Sequence, residues 1–223
     1  MEYNFRFAAV LRYWDEIVEG VLLTLQLSAT TMVIGLAIGL GVAALSTSSN
    51  PWLRLPARGY VELIRNTPLL VQLFIVFFGL PSLGVRLNAN DAAVIALSIN
   101  LGAYGAEIIR AGIESIRRSQ VEAGRALGLT ALQTFRHVVL FQALKAIYPA
   151  LASQFVLLML ATSIVSAIGA SELFHQAAFI ESRTFRSFEA YTLITISYLG
   201  LTLGFRLLFS AIYWLVFVRR PAR

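Results

Sequence analysis

From Gly20 to Leu53 the chain carries no charged residue at all. No soluble fold of ordinary size can hide a run of that length, whereas a lipid bilayer needs about 20 apolar residues for each helical crossing. The same test, passed along the chain, marks five segments, at about 18–46, 57–80, 91–112, 144–168 and 190–217. Glu107 interrupts the third and Arg206 the fifth. The composition agrees: 58% of residues are hydrophobic and 13% charged, against about 25% charged in a soluble domain. The predicted fold class is therefore all-α, a polytopic bundle of five transmembrane helices forming one domain over residues 1–223.

Several function classes drop out at once. There is no cysteine, hence no disulfide framework, and His137 and His175 are too far apart in sequence to suggest a metal site. The net charge is +6, which raises the question of nucleic acid. Membrane proteins, however, collect Lys and Arg on the cytoplasmic side, and that alone raises the charge. Asp15, Glu16 and Glu19 stand where the apolar core of a leader peptide would lie, so no cleaved signal is predicted.

Five crossings put the two ends on opposite sides. With the C-terminus inside, the inner segments hold Arg54, Arg58, Arg110, Arg117, Arg118, Arg125, Arg136, Lys145, Arg219, Arg220 and Arg223. The outer segments hold only Arg6, Arg12, Arg86, Arg183 and Arg186. This asymmetry predicts an extracytoplasmic N-terminus and a cytoplasmic C-terminus.

The main inner loop, about 117–141, reads as structured. Ser119-Gln-Val-Glu122 and Thr130-Ala-Leu-Gln133 both have the spacing of a capping box. Gly128, followed by Leu129, is a left-handed helix stop. A helix over Gln120–Leu127, a tight turn and a second helix through Phe135 and Val139 follow, with Pro149 a helix start or kink just inside the next span. Helix-turn-helix also suggests a DNA reader. Short tethers to two membrane spans leave no room for a major groove, so the element is read as a docking surface for a soluble partner, and nucleic acid is not expected.

The loop's Glu122-Ala-Gly, Gly128 and Val138-Val-Leu140 resemble the cytoplasmic coupling loop of the permease subunits of bacterial ABC importers. Gly124 stands where that pattern usually has a second alanine, and Phe141 where it often has proline. Glu62-Leu-Ile-Arg-Asn-Thr-Pro-Leu-Leu-Val-Gln-Leu-Phe74, Gly102-Ala-Tyr-Gly-Ala-Glu-Ile-Ile-Arg-Ala-Gly-Ile113, Thr162-Ser-Ile-Val-Ser-Ala-Ile-Gly169 and Glu172-Leu are similar to the polar amino acid uptake branch of that family. The resemblance implies a type I importer permease bundle in the bacterial inner membrane. It would work beside a second permease chain, two cytoplasmic ATPase subunits and an extracytoplasmic binding protein, moving a polar amino acid by alternating access. Glu122, Ala126, Leu127 and Gly128 would form the ATPase-coupling turn. The chain has no Gly-(four residues)-Gly-Lys-Ser/Thr phosphate loop. It is expected to be no enzyme and to hold no cofactor, ATP and Mg being bound by its partners.

Polar groups inside spans are costly and tend to be purposeful. Glu62 and Arg65, and Glu107 and Arg110, stand three residues apart; each pair can meet on one helix face or cross between helices and rearrange in gating. Arg206 has no acid near it on its own helix, so it either pairs elsewhere or snorkels to the interface. Gln72, Asn100, Tyr104, Gln154, Ser163 and Ser166 are the candidates for a substrate site. The plainer reading is that the serines bond their own backbone and the amides a neighbouring helix. Gln154 and Ala161 share a face. By the resemblance, acidic residues tend to fill these two places in relatives that carry cationic amino acids, so an amide and a methyl group favour a neutral or anionic polar substrate. The alternative is an ion-coupled secondary transporter or channel, which would need acidic residues or broken helices at the midplane; the acids here lie at span ends.

Overall fold

The computed structural model describes residues 4–219; Arg220 and Arg223, counted above for topology, lie outside them. The chain is helical, and no strand occurs among the described residues. In order come α1 (Phe7–Leu11), α2 (Trp14–Ser46), α3 (Pro51–Arg65), α4 (Leu69–Ser82), α5 (Ala89–Glu114), α6 (Arg118–Ala126), α7 (Ala131–Ile168), α8 (Leu173–Thr184) and α9 (Ser187–Val218). Four of these, α2, α5, α7 and α9, are long and apolar enough to cross a membrane. They correspond to the first, third, fourth and fifth predicted spans.

The second predicted span, 57–80, is not one helix. It is split into α3 and α4, which meet at a bend of 108°. The cause is local. Pro68 has no N–H and pushes Thr67 out of the helical region. The polar side chains before it then close the end of α3. Asn66 Nδ2 donates to the Glu62 carbonyl at 2.8 Å, and Thr67 Oγ1 to that of Leu63 at 2.9 Å. α3 has three faces: Ala57, Val61 and Ile64 are buried, Arg54, Arg58, Glu62 and Arg65 form a polar flank, and Trp52, Leu55 and Leu63 are exposed.

α2 and α5 pack closest. At their crossing, a Cβ built on Gly39 would sit 3.2 Å from the Ala106 nitrogen and the Gly102 carbonyl oxygen. Small residues let membrane helices approach backbone to backbone, where dispersion forces substitute for the hydrophobic drive that lipid does not supply. Ala92, Ala93, Ala96, Leu97 and Leu101 of α5 form the central core with Leu27, Leu73, Leu158 and Val165. A second cluster, with Leu173, Ala177, Ile180, Ala190 and Ile194, joins α8 to α9 at the end opposite the 117–141 loop.

Glu172 caps α8 there and is fully buried. Its carboxylate accepts from the backbone N–H groups of Phe174 and His175, both at 2.9 Å, and from the Tyr198 hydroxyl at 2.6 Å. Burial raises the pKa of this carboxyl, opposed by those bonds.

The loop follows its expected outline with one correction. α6 begins at Arg118 with Arg117 as an extended N-cap, and no side chain caps it. Ser119 therefore lies inside the first turn and the Ser119–Glu122 capping box does not form. The Thr130–Gln133 box does form, with both reciprocal bonds present. Gly128 has φ +80°. The Leu129 N–H donates to the Gly124 carbonyl and the Gly128 N–H to that of Arg125, closing α6 in a Schellman motif. α7 starts at Ala131 and runs through Pro149 without interruption, so Pro149 is not a helix start.

Candidate functional site

α5 carries the site. Its tightly packed face is Ala- and Gly-rich, but Asn100, Tyr104 and Glu107, spaced by four and three residues, stand half-exposed on another face. Lipid cannot hydrogen-bond such groups, so a mid-span polar stripe of this kind must face water or another protein.

The bend between α3 and α4 leans on this stripe. Gln72, just past the bend, is 7% exposed. Its Nε2 donates to the Ile64 carbonyl at 2.7 Å, the Thr67 carbonyl at 3.1 Å and the Thr67 hydroxyl at 2.8 Å. Its Oε1 accepts from Asn100 Nδ2 at 3.0 Å. Gln72 thus braces the break and ties it to α5. Arg65, the last residue of α3, lies over the Tyr104 ring at 5.4 Å from its centroid and reaches Glu107 at 3.8 Å.

The ion pairs divide. Glu107 and Arg110 meet on their own helix, bidentate at 2.6 and 3.0 Å, and Arg110 also holds Glu114 at 2.6 Å. Glu62 and Arg65 do not pair, contrary to the local alternative. Glu62 accepts from Asn66 at 3.0 Å instead, and Arg65 crosses to α5. That crossing depends on the bend, which carries α3 across α5.

The α7 candidates separate as well. Ser163 and Ser166 donate to the carbonyls of Leu160 and Ser163, the backbone use that short hydroxyl side chains make in apolar helices. Gln154 shares a helical face with Ile147 and Leu158, which pack on α5. Its amide has no hydrogen bond among the described residues, so it remains the unengaged polar group on that side. Arg206 has no ion pair among the described residues. It lines a groove of about 460 Å³ between α7 and α9 with Tyr148, Ser153 and Ser210.

At the loop end, Glu122, Ala126, Leu127 and Gly128 are all exposed, Leu127 at 81%, as is Leu132 at 76%. The turn thus presents two bare leucines, Leu127 and Leu132, on an otherwise polar surface. Sequence reasoning passed over Gly39 and the Glu172–Tyr198 contact. The signal for Gly39 was available, since Gly35 and Gly39 have the small-xxx-small spacing.

Comparison with known proteins agrees with this geometry. Residues 35–217 match the family model described as binding-protein-dependent transport system inner membrane component. The chain belongs to that family and is a permease subunit of the ABC importer type. It is 37% identical over 185 residues to the probable glutamine ABC transporter permease protein GlnM of Bacillus subtilis, covering 83% of this chain and 86% of the relative. It is 33% identical over 213 residues to the octopine transport system permease protein OccM of Rhizobium radiobacter, covering 92% and 87%. Among solved structures, one described as an amino acid ABC transporter with histidines superposes with TM-score 0.90 at 40% identity, over 95% of this chain and 99% of that one. The MetNI methionine ABC transporter, at 20% identity and TM-score 0.75, shares the fold.

Proposed function

We propose that the chain is the membrane subunit of an ATP-driven importer of a polar, neutral or anionic amino acid. The observation that supports this best is the half-exposed Asn100–Tyr104–Glu107 stripe. Such a surface needs water or another protein against it; an aqueous path meets that need, and because one chain cannot enclose a path by itself, a second permease chain closes it. The loop end is cytoplasmic, as the Lys/Arg asymmetry suggests, and the N-terminus is extracytoplasmic in the inner membrane. The exposed Leu127 and Leu132 seat in ATPase subunits, which bind ATP and Mg and do the hydrolysis. A binding protein delivers the amino acid to the opposite end. ATP-driven closure of the ATPases moves the loops, and alternating access carries the substrate past the stripe and Gln154.

The names of the relatives make glutamine the first substrate to try. The assembled complex in proteoliposomes, with binding protein, takes up labelled glutamine or another polar amino acid when ATP is supplied. It does so with ion gradients collapsed. Uptake driven by an ion gradient without ATP would replace this reading with a secondary transporter.

A further inference from the structure

The polar flank of α3 opens on a crevice that shares Glu107 with the α5 stripe but whose α3 charges, Arg58 and Glu62, have no part in the proposed transport path. It is about 220 Å³ in volume and lies at the loop end, between Ser46 of α2, Arg58 and Glu62 of α3, and Glu107 and Arg110 of α5. Its charges differ in how far they are neutralised. Glu107 and Arg110 are bound to each other, with Arg65 and Glu114 beside them. Arg58 is in no hydrogen bond or ion pair among the described residues, and only one oxygen of Glu62 has a donor, Asn66. The two stand one helical turn apart, at i and i+4, yet do not pair; an acid that follows its base by four residues is the poorer orientation for a direct helix salt bridge.

A small crevice that presents one open cation and one open carboxylate oxygen a turn apart is complementary to a zwitterion. We propose that it binds a free amino acid on the cytoplasmic side, α-carboxylate on Arg58 and α-ammonium on Glu62, and that occupancy slows transport. The ligand would tie Arg58 to Glu62 on α3, fill the crevice against α5 and restrain the arm whose far end Gln72 fastens to Asn100. The imported product would then hold back its own import. This inference rests on the amino acid reading of the preceding section.

The test uses proteoliposomes with the ATPase subunits facing the medium and binding protein and labelled glutamine inside. The medium is then the cytoplasmic side. ATP-dependent release of label should fall as unlabelled glutamine is added to the medium. N-acetylglutamine, which lacks the ammonium, and glutamine amide, which lacks the carboxylate, should not inhibit. Arg58→Gln should keep the uninhibited rate and raise the half-inhibiting glutamine concentration roughly tenfold or more, as expected for one lost charge-assisted hydrogen bond. Glu62→Gln, normalised to its own uninhibited rate, should do the same. Inhibition that is absent in the wild type, or unchanged in both variants, overturns the proposal while leaving amino acid import standing. If no amino acid moves at all, both readings fall together. A rate that follows phosphatidylethanolamine content, depends on Arg58 and ignores added glutamine would assign the crevice to a lipid headgroup and also overturn it.

Discussion

Two prolines inside predicted spans have opposite outcomes. At Pro68 the chain turns through 108°; at Pro149 the helix Ala131–Ile168 continues. Each proline removes one backbone donor and crowds the preceding turn. The difference lies in the neighbours. Before Pro68, Asn66 and Thr67 offer side chains that bond the carbonyls of Glu62 and Leu63, and Gln72 from beyond the break bonds that of Ile64. A terminated helix therefore has its last carbonyls satisfied inside the membrane. Before Pro149 stand Ala146, Ile147 and Tyr148; the Tyr148 hydroxyl is turned to the Phe209 carbonyl on α9. With nothing to cap a break, the helix loses least by continuing. A proline in a span permits a break, and polar neighbours decide whether it happens.

The two glutamines repeat the contrast, since Gln72 uses both ends of its amide as a brace while Gln154 is unengaged. Gln72→Leu should have the largest effect. It leaves Asn100 Nδ2 without its partner and the Ile64 carbonyl with the longer Thr67 bonds, at 3.3 and 3.5 Å, at about 1–3 kcal/mol for the bonding lost. Thermal melting of the purified complex should drop by several degrees, and uptake should fall for every substrate alike. Gln154→Leu should leave melting and assembly unchanged. It should weaken substrate affinity, read as the concentration dependence of uptake, by roughly 5- to 150-fold if the amide bonds the amino acid. A melting loss like that of Gln72→Leu would make Gln154 a brace as well.

The spans were legible in the sequence because hydropathy is a property of segments, and Gly128 was legible because a positive φ is a demand on one residue. The Pro68 break was written in Asn66-Thr67-Pro68, but a uniformly apolar stretch on its far side, Leu69–Val71, masked it. The Ser119–Glu122 pattern is real as a pattern; it does not reveal that the helix starts at Arg118, ahead of its proposed cap. The Arg65–Glu107 contact was one of two open alternatives, because it exists only once the bend has carried α3 across α5. Arg58 and Glu62 drew no attention as a joint site because their meaning lies in what they leave unpaired.

Gly128→Val tests the loop that leads into the continuous helix. A β-branched residue at φ +80° costs about 1–2 kcal/mol in left-handed backbone strain. The turn should distort while the spans insert normally, so less ATPase should co-purify with an equal amount of membrane-inserted chain. Pro149→Ala is the mildest change. It restores a donor for the Lys145 carbonyl, and melting should rise slightly, by well under the ~3 kcal/mol a proline costs in an ordinary helix interior. A large gain would mean that Pro149 strains α7 after all.

On the proposed function, the α5 stripe, with the broken α3–α4 arm against it, faces an aqueous path and not lipid. The chain has no cysteine of its own, so a single cysteine placed in it is the only one that this chain can label. Asn100→Cys and Tyr104→Cys in the assembled complex should react with a membrane-impermeant thiol reagent, at rates that change when ATP and binding protein drive the cycle. Val33→Cys and Leu199→Cys, at exposed apolar positions 71% and 56% open in the isolated chain, should stay unlabelled. Labelling at Val33 and Leu199, with Asn100 and Tyr104 silent in every state of the cycle, would contradict the claim.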